Sequence, residues 1–456
     1  MIRRSLVLAL AAALSPMAAQ AADLLQVYEM ARNGDPQLSS AESTRLYNKE
    51  GAIQARAALL PQLNGEASLS RARTEYDGIN GSVTSKSRDY TIQGSQTLFN
   101  WSQIANLRAQ RELSKAADFD LDSANDDLIV RTSAAYFNVL VAIESLAAAE
   151  TNEAAGKKQF DYADKRLEVG LAPITDVHEA RAQYDQARAD TIVARNDLKD
   201  AYQALTELTG QPIPSLRSLP DDWRPEVPAK YADVEELVST AVANNPALQA
   251  QELSVSAAES SVSAARGGHY PTLNLGGSWG KSAQWGDSTG SGGLTPDTET
   301  NSIGLTLSVP IFSGGATQSQ VRQALATRDI QQDTYEQQKR ALDRNTRNAY
   351  QDLTAGISAV EARRLAVVSA KAAFDASQVG LEVGTRTVLD VVQNQRTLFQ
   401  AQLAYVQARY NFLQSRLLLG NSTGQLDVAD LQDINRMLTE DAASRLQNPP
   451  DTTGRQ

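Results

Sequence analysis

Residues 301 to 312 read Asn-Ser-Ile-Gly-Leu-Thr-Leu-Ser-Val-Pro-Ile-Phe, with Ile303, Leu305, Leu307, Val309 and Ile311 alternating with Ser302, Gly304, Thr306 and Ser308. Alternation at period two predicts a β-strand with one apolar face. A partner strand is expected over 273–281, where Leu273, Leu275 and Trp279 share a face, and the same pair recurs at roughly 63–71 and 88–99. Polar loops join each pair, as in Asp287-Ser288-Thr289-Gly290-Ser291-Gly292-Gly293. Elsewhere the period is helical. No proline interrupts 102–168, 175–208 or 313–420. A helix of roughly 50 residues reaches about 75 Å, far beyond a compact core. Near the C-terminus Phe399, Leu403, Val406, Tyr410, Leu413 and Leu417 step by four and three, beside a second seam through Leu398, Ala401, Tyr405, Ala408, Phe412, Ser415 and Leu419. Two adjacent seams mean two neighbouring helices. Such helices can close into a tube, and a solid bundle asks for the same pattern.

The chain is a duplication. Asp23 to Pro36 aligns with Asp233 to Pro246 at a shift of 210, and Leu167-Glu168-Val169-Gly170 aligns with Leu381-Glu382-Val383-Gly384 at a shift of 214. Between the halves, five of the 15 prolines fall within 211–229, which predicts an extended linker. At the start, Arg3 and Arg4, the apolar run Leu6 to Leu14 and Ala19-Gln20-Ala21 form a secretory signal. The organisation expected is a signal peptide over 1–22, a first repeat over 23–210, a Pro-rich linker over 211–232, a second repeat over 233–440 and a disordered tail over 441–456. After the signal no run of 18 apolar residues occurs, so any membrane-spanning part of the exported chain has to be β-barrel.

Composition narrows the function. With 43 Lys+Arg against 54 Asp+Glu, the chain carries -11 and lacks the basic footprint of a nucleic-acid binder. It contains no cysteine and two histidines, His178 and His269, which removes disulfides, thiol chemistry and zinc sites built on Cys or several His. No convergent nucleophile, base or metal site points to an enzyme. No cofactor is expected.

The amphipathic hairpins fit two settings, a soluble core or a membrane. Export favours the membrane, as do Phe99, Trp101, Tyr270, Trp279 and Phe312 near strand ends, where they can form an interface girdle. Four strands cannot close a barrel, since about eight is the smallest that holds side chains inside. A membrane setting therefore requires an oligomer. Each pair of long helices is punctuated once, by Val169-Gly170-Leu171-Ala172-Pro173-Ile174-Thr175-Asp176 and by Val383-Gly384-Thr385-Arg386-Thr387-Val388-Leu389-Asp390. Glycine ends one helix and Thr or Asp starts the next, so these are helical hairpin tips. Asp176 and Asp390 have two open readings, helix capping or a role at the tip itself. Arg386 is the one charge that the second tip adds.

The signal, the duplicated plan, the strand ending in Val309-Pro310-Ile311-Phe312-Ser313-Gly314-Gly315 and the two tips resemble the TolC family of outer-membrane efflux and secretion channels. The resemblance spans the mature chain. It implies a mainly α fold with a transmembrane β-barrel: long coiled-coil hairpins form an α-helical barrel, and four strands per protomer contribute to a shared twelve-stranded barrel. It further implies a homotrimer in the outer membrane with a periplasmic extension, a periplasmic adaptor and an inner-membrane transporter as partners, outer-membrane lipid around the barrel, and no nucleic acid. The tips Gly170, Leu171, Ala172, Pro173, Gly384 and Thr385 would dock the adaptor. By the same resemblance Arg386 latches Thr175 and Asp176, and Asp390 rings the constriction, where it can block with cations; no resident metal is implied. The family's second acid is Gln393 here, and a latch Tyr is Leu381. A trimeric surface stalk or adhesin is the alternative, disfavoured because adhesins of that type carry their membrane strands at one chain end.

Overall fold

The computed structural model describes residues 21–75, 82–171, 173–226, 231, 233–286 and 297–447, without the side chains of 82, 83 and 447. In chain order it comprises α1 (Leu24–Gly34), α2 (Pro36–Ala57), β1 (Gln62–Glu75), β2 (Ser82–Phe99), α3 (Trp101–Glu168) and α4 (Ile174–Thr209). After β3 (Arg217–Ser218) the plan repeats as α5 (Val234–Asn244), α6 (Pro246–Arg266), β4 (Thr272–Gly286), β5 (Thr298–Ser308), α7 (Ala316–Glu382) and α8 (Val388–Thr423). It closes with α9 (Val428–Met437), β6 (Glu440–Asp441) and α10 (Ala443–Gln447). Helices α3 and α7 run 68 and 67 residues without a break. Alanine-rich, proline-free sequence allows that length, because each residue adds a hydrogen bond at little side-chain entropy cost.

The chain divides into two compact units, one made by Glu42–Asp120 with Ala247–Gln338, the other by the remaining described residues. The first holds a four-stranded antiparallel sheet in the order β1-β2-β4-β5. Its register sorts the side chains cleanly. Leu63 pairs with Gly94, Ile92 with Trp279, Leu275 with Leu305 and Leu273 with Leu307, so these residues share one face. Asn64, Gln93, Ser278 and Ser302 form a row across the other, with the Ser278 and Ser302 hydroxyls 2.7 Å apart.

Strands β1, β2 and β4 run further towards the hairpin loops than the alternation suggests, because the backbone ladder needs no apolar side chain. Strand β5 stops at Ser308, short of the expected 312, because Pro310 has no N–H to give the ladder. Trp101 and Tyr270, expected in the aromatic girdle, meet edge to face where strands join helices, and Trp101 Nε1 donates to Ser263 Oγ at 3.1 Å.

In the other unit α1 packs on α4 and α5 on α8. Gly34 lies so close to the end of α4 that a Cβ would sit 2.5 Å from the Thr209 carbonyl oxygen, and Gly424 meets the Asn244 carbonyl in the same way in the second repeat. A core containing Leu24, Val27, Leu128, Tyr136, Leu140, Leu205, Leu413 and Leu417 fills the space between these elements.

Three segments differ from expectation. The Pro-rich stretch is a packed strap rather than a solvated linker. Ile213, Leu216 and Leu219 between its prolines are buried, and the Tyr136 hydroxyl donates to the Arg217 carbonyl at 2.7 Å and accepts from the Arg217 N–H at 2.9 Å. Ala22, placed in the signal above, bridges to Leu216 and belongs to this fold. The tail is ordered at its start, where Glu440–Asp441 pairs with Arg217–Ser218. Arg445 anchors it, reaching Asp221 at 2.6 Å, Glu440 at 2.8 Å and Glu144 at 3.6 Å. Residues 1–20 and 448–456 lie outside the described part.

Candidate functional site

Both hairpin tips belong to the same unit as this strap, and both end their first helix in one way. Gly170 and Gly384 have φ of 75° and 77°, a left-handed conformation that costs glycine nothing. At the first tip Leu171 N–H donates to Arg166 O at 2.8 Å and Gly170 N–H to Leu167 O at 2.9 Å. At the second, Thr385 N–H donates to Gly380 O at 2.8 Å and Gly384 N–H to Leu381 O at 3.2 Å. These are Schellman caps, which satisfy the last free carbonyls of each helix.

The tips diverge where the next helix starts. Thr387 caps α8: its Oγ1 accepts from Asp390 N–H at 3.2 Å, and Asp390 Oδ2 accepts from Thr387 N–H at 2.9 Å. The backbone bond from Thr387, then that from its hydroxyl, hold the Asp390 carboxyl below the usual carboxylate range, with Arg386 adding a smaller attraction. Pro173 takes the corresponding place before α4 and provides no side-chain cap. Asp176 therefore lies in the first turn of α4, where among the described residues its carboxylate has only a long contact to the Thr175 hydroxyl, 3.5 Å.

The residues expected to form a latch are not joined within the protomer. Among the described residues no ion pair links Arg386 to Asp176; the stem of Arg386 lies over Gly380, where a Cβ would meet its Cγ at 2.6 Å. Gln393 is exposed one turn beyond Asp390. Leu171, Pro173, Gly384 and Thr385 are exposed at the tips, while Ala172 lies outside the described residues.

Leu381 does not face the tip surface. It is buried with Val177, Phe374, Val388, Val391 and Leu398 in a small core that holds the two hairpins together. Gln395, which no sequence motif marks, is buried beside that core and donates to Asn152 Oδ1 at 2.7 Å, tying α8 to α3. An isolated glutamine on a heptad gives no sequence signal for such a role. The Thr387-x-x-Asp390 spacing, by contrast, is a legible capping signature.

Comparison with known proteins places this geometry. The family model described as outer membrane efflux protein matches residues 27–211 and 237–425, one block per repeat. The chain is 34% identical over 438 residues to the outer membrane protein TolC of Escherichia coli, covering 94% of this chain and 87% of that protein. It is 29% identical over 421 residues to the alkaline protease secretion protein AprF of Pseudomonas aeruginosa, covering 90% and 86%. In fold it resembles the Campylobacter jejuni CmeC outer membrane channel, with a TM-score of 0.74 at 18% identity over 91% of this chain and 90% of that one.

Proposed function

Because the chain belongs to the outer membrane efflux protein family, we propose that it is a passive exit duct of the outer membrane, serving efflux and type I secretion as a homotrimer. The open sheet carries this reading. One face is apolar and the other polar, and β1 and β5 each have a single neighbour. Because β1 and β5 run in opposite directions, β5 of one copy can continue the antiparallel ladder onto β1 of the next. Repeating that one contact around an axis removes both edges, and three copies give a closed ring of twelve strands with a polar lumen and an apolar outside.

In this reading the helices extend into the periplasm, where an adaptor connects the duct to an inner-membrane transporter. The transporter supplies the energy and the duct performs no chemistry. The tips dock the adaptor through Gly170, Leu171, Ala172, Pro173, Gly384 and Thr385. They stay shut because Arg386 of one protomer holds Thr175 and Asp176 of the adjoining one. Arg386 and Asp176 support this by being opposite charges that make no ion pair within their own chain among the described residues.

The test is the mass of the purified protein in detergent together with its single-channel conductance in a planar bilayer. A trimer with defined conductance is expected; a folded, monodisperse monomer ends the reading. For orientation, cysteines at Leu171 or Thr385 crosslink to the adaptor and a cysteine at Gly290 does not.

A further inference from the structure

Basic residues are segregated on the four-stranded sheet, while acids occur on both faces, Glu75 and Glu299 lying on the apolar one with Glu299 directly opposite Lys281. Among the described strand residues, the polar face carries Glu66 and Asp89 and neither lysine nor arginine, whereas Arg71, Arg73, Lys86, Arg88 and Lys281 all fall on the apolar face. They cluster at the end near the hairpin loops. Passing along that face from the helical end, Leu273 and Leu307 give way to Ile303, then to Ile92 opposite Trp279, then to Tyr90 opposite Lys281, and then to Arg88 and to Lys86 opposite Trp285.

Some of these cations have counter-ions. Asp297 lies 3.5 Å from Arg88 and 3.1 Å from Lys281, and Glu75 lies 3.4 Å from Arg73. Arg71 and Lys86 have none among the described residues, yet the register sets them directly opposite each other, with Trp285 on the far side of Lys86. Directly opposed like charges weaken a strand pair. An anion between them would remove the repulsion. In the closed ring this face meets lipid, and beyond an aromatic band lie the membrane's headgroups.

We infer that Arg71 and Lys86, backed by Arg88 and Lys281, bind the phosphate of a phosphorylated lipid headgroup in the outer leaflet. The guanidinium of Arg71 can hold two phosphate oxygens at once, and Lys86 adds a point charge. Exposed Leu69, two residues from Arg71 on the same face, offers an apolar surface to the acyl chains of the same molecule. That combination selects a lipid over free phosphate. The inference rests on the trimeric duct with its hairpin loops outermost.

The test uses delipidated trimer in detergent, titrated with a bis-phosphorylated glucosamine lipid, with its dephosphorylated form, and with inorganic phosphate. Conductance is recorded first for parent and variant. Arg71→Gln combined with Lys86→Gln is expected to weaken binding of the phosphorylated lipid about 30-fold, taking each cation's contribution at an anionic surface as independent. Gln93→Asn on the polar face should leave it unchanged, and the dephosphorylated lipid should bind parent and double variant equally weakly. Unchanged affinity in the double variant overturns the inference, as does equal affinity for the two lipids. Inorganic phosphate binding as tightly as the phosphorylated lipid replaces the lipid with a free anion. A parent protein that neither trimerises nor conducts overturns the duct reading instead, and this inference with it.

Discussion

Pro173 and Thr387 stand at the same position of the two repeats, and only Thr387 caps its helix. Proline has neither a side-chain acceptor nor an N–H, so it can form no part of a capping box, and Asp176 is left without the partner that fixes Asp390. Thr387→Ala should loosen the second tip. Amide exchange at Val388 to Val391 is expected to quicken about fivefold, the loss typical of an N-cap. Because the Asp390 carboxyl is held low in the fold, its contribution is present above the ordinary carboxylate range and lost as pH falls through its lowered value. The difference between parent and variant should therefore shrink in acid.

The proposed latch joins Arg386 to Asp176 across protomers, so either substitution alone breaks it. Arg386→Ser and Asp176→Ala are each expected to raise single-channel conductance, and the double variant should add little to either. Additive increases would mean that the two residues act at separate contacts.

Asp390 acts as a three-fold carboxylate ring in this reading, and Gln393 leaves that ring single. Asp390→Ala should weaken cation selectivity and divalent-cation block. Gln393→Asp places a second acid one helical turn away and should strengthen block severalfold in conductance titrations. If Gln393→Asp leaves block unchanged, the tips do not line the narrowest point.

Arg445 holds the C-terminal segment against the strap, facing Asp221 and Glu440 at the rim and the largely buried Glu144 beneath. Burial raises the pKa of Glu144, while Arg445 and then Arg409 oppose the shift. Arg445→Ala strands that carboxyl, and a cost of about 1–3 kcal/mol is expected from an unpaired buried polar group. Adding Glu144→Gln should restore part of it. Thermal unfolding and the rate of proteolysis within 440–447 measure both.

Burial, then repulsion from Asp122 and Asp127, raises the pKa of Asp126 on α3 to about 7. An acid so shifted keeps its proton in the fold while the unfolded chain has already ionised. Stability therefore falls as pH rises from the ordinary carboxylate range to about 7. Asp126→Asn should raise the unfolding temperature at pH 8 and have far less effect at pH 4, near the ordinary carboxylate pKa.

Sequence alone determined the duplicated plan, the amphipathic strands, the unbroken helices and the position of both tips. Each of these is local: apolar period, proline spacing and glycine placement act within a few residues of chain. Tertiary structure decided what depends on distant neighbours. Ile213, Leu216 and Leu219 turn a proline-rich stretch into a strap because a core lies beneath them, and Arg445 orders part of a polar tail because three carboxylates converge on it. Leu381 and Gln395 became packing residues for the same reason, their surroundings being supplied by another helix. The sorting of every basic strand residue onto one face follows from period two, but the confrontation of Arg71 with Lys86 needs the register of two strands. Register is a property of the pair, and neither strand's sequence contains it.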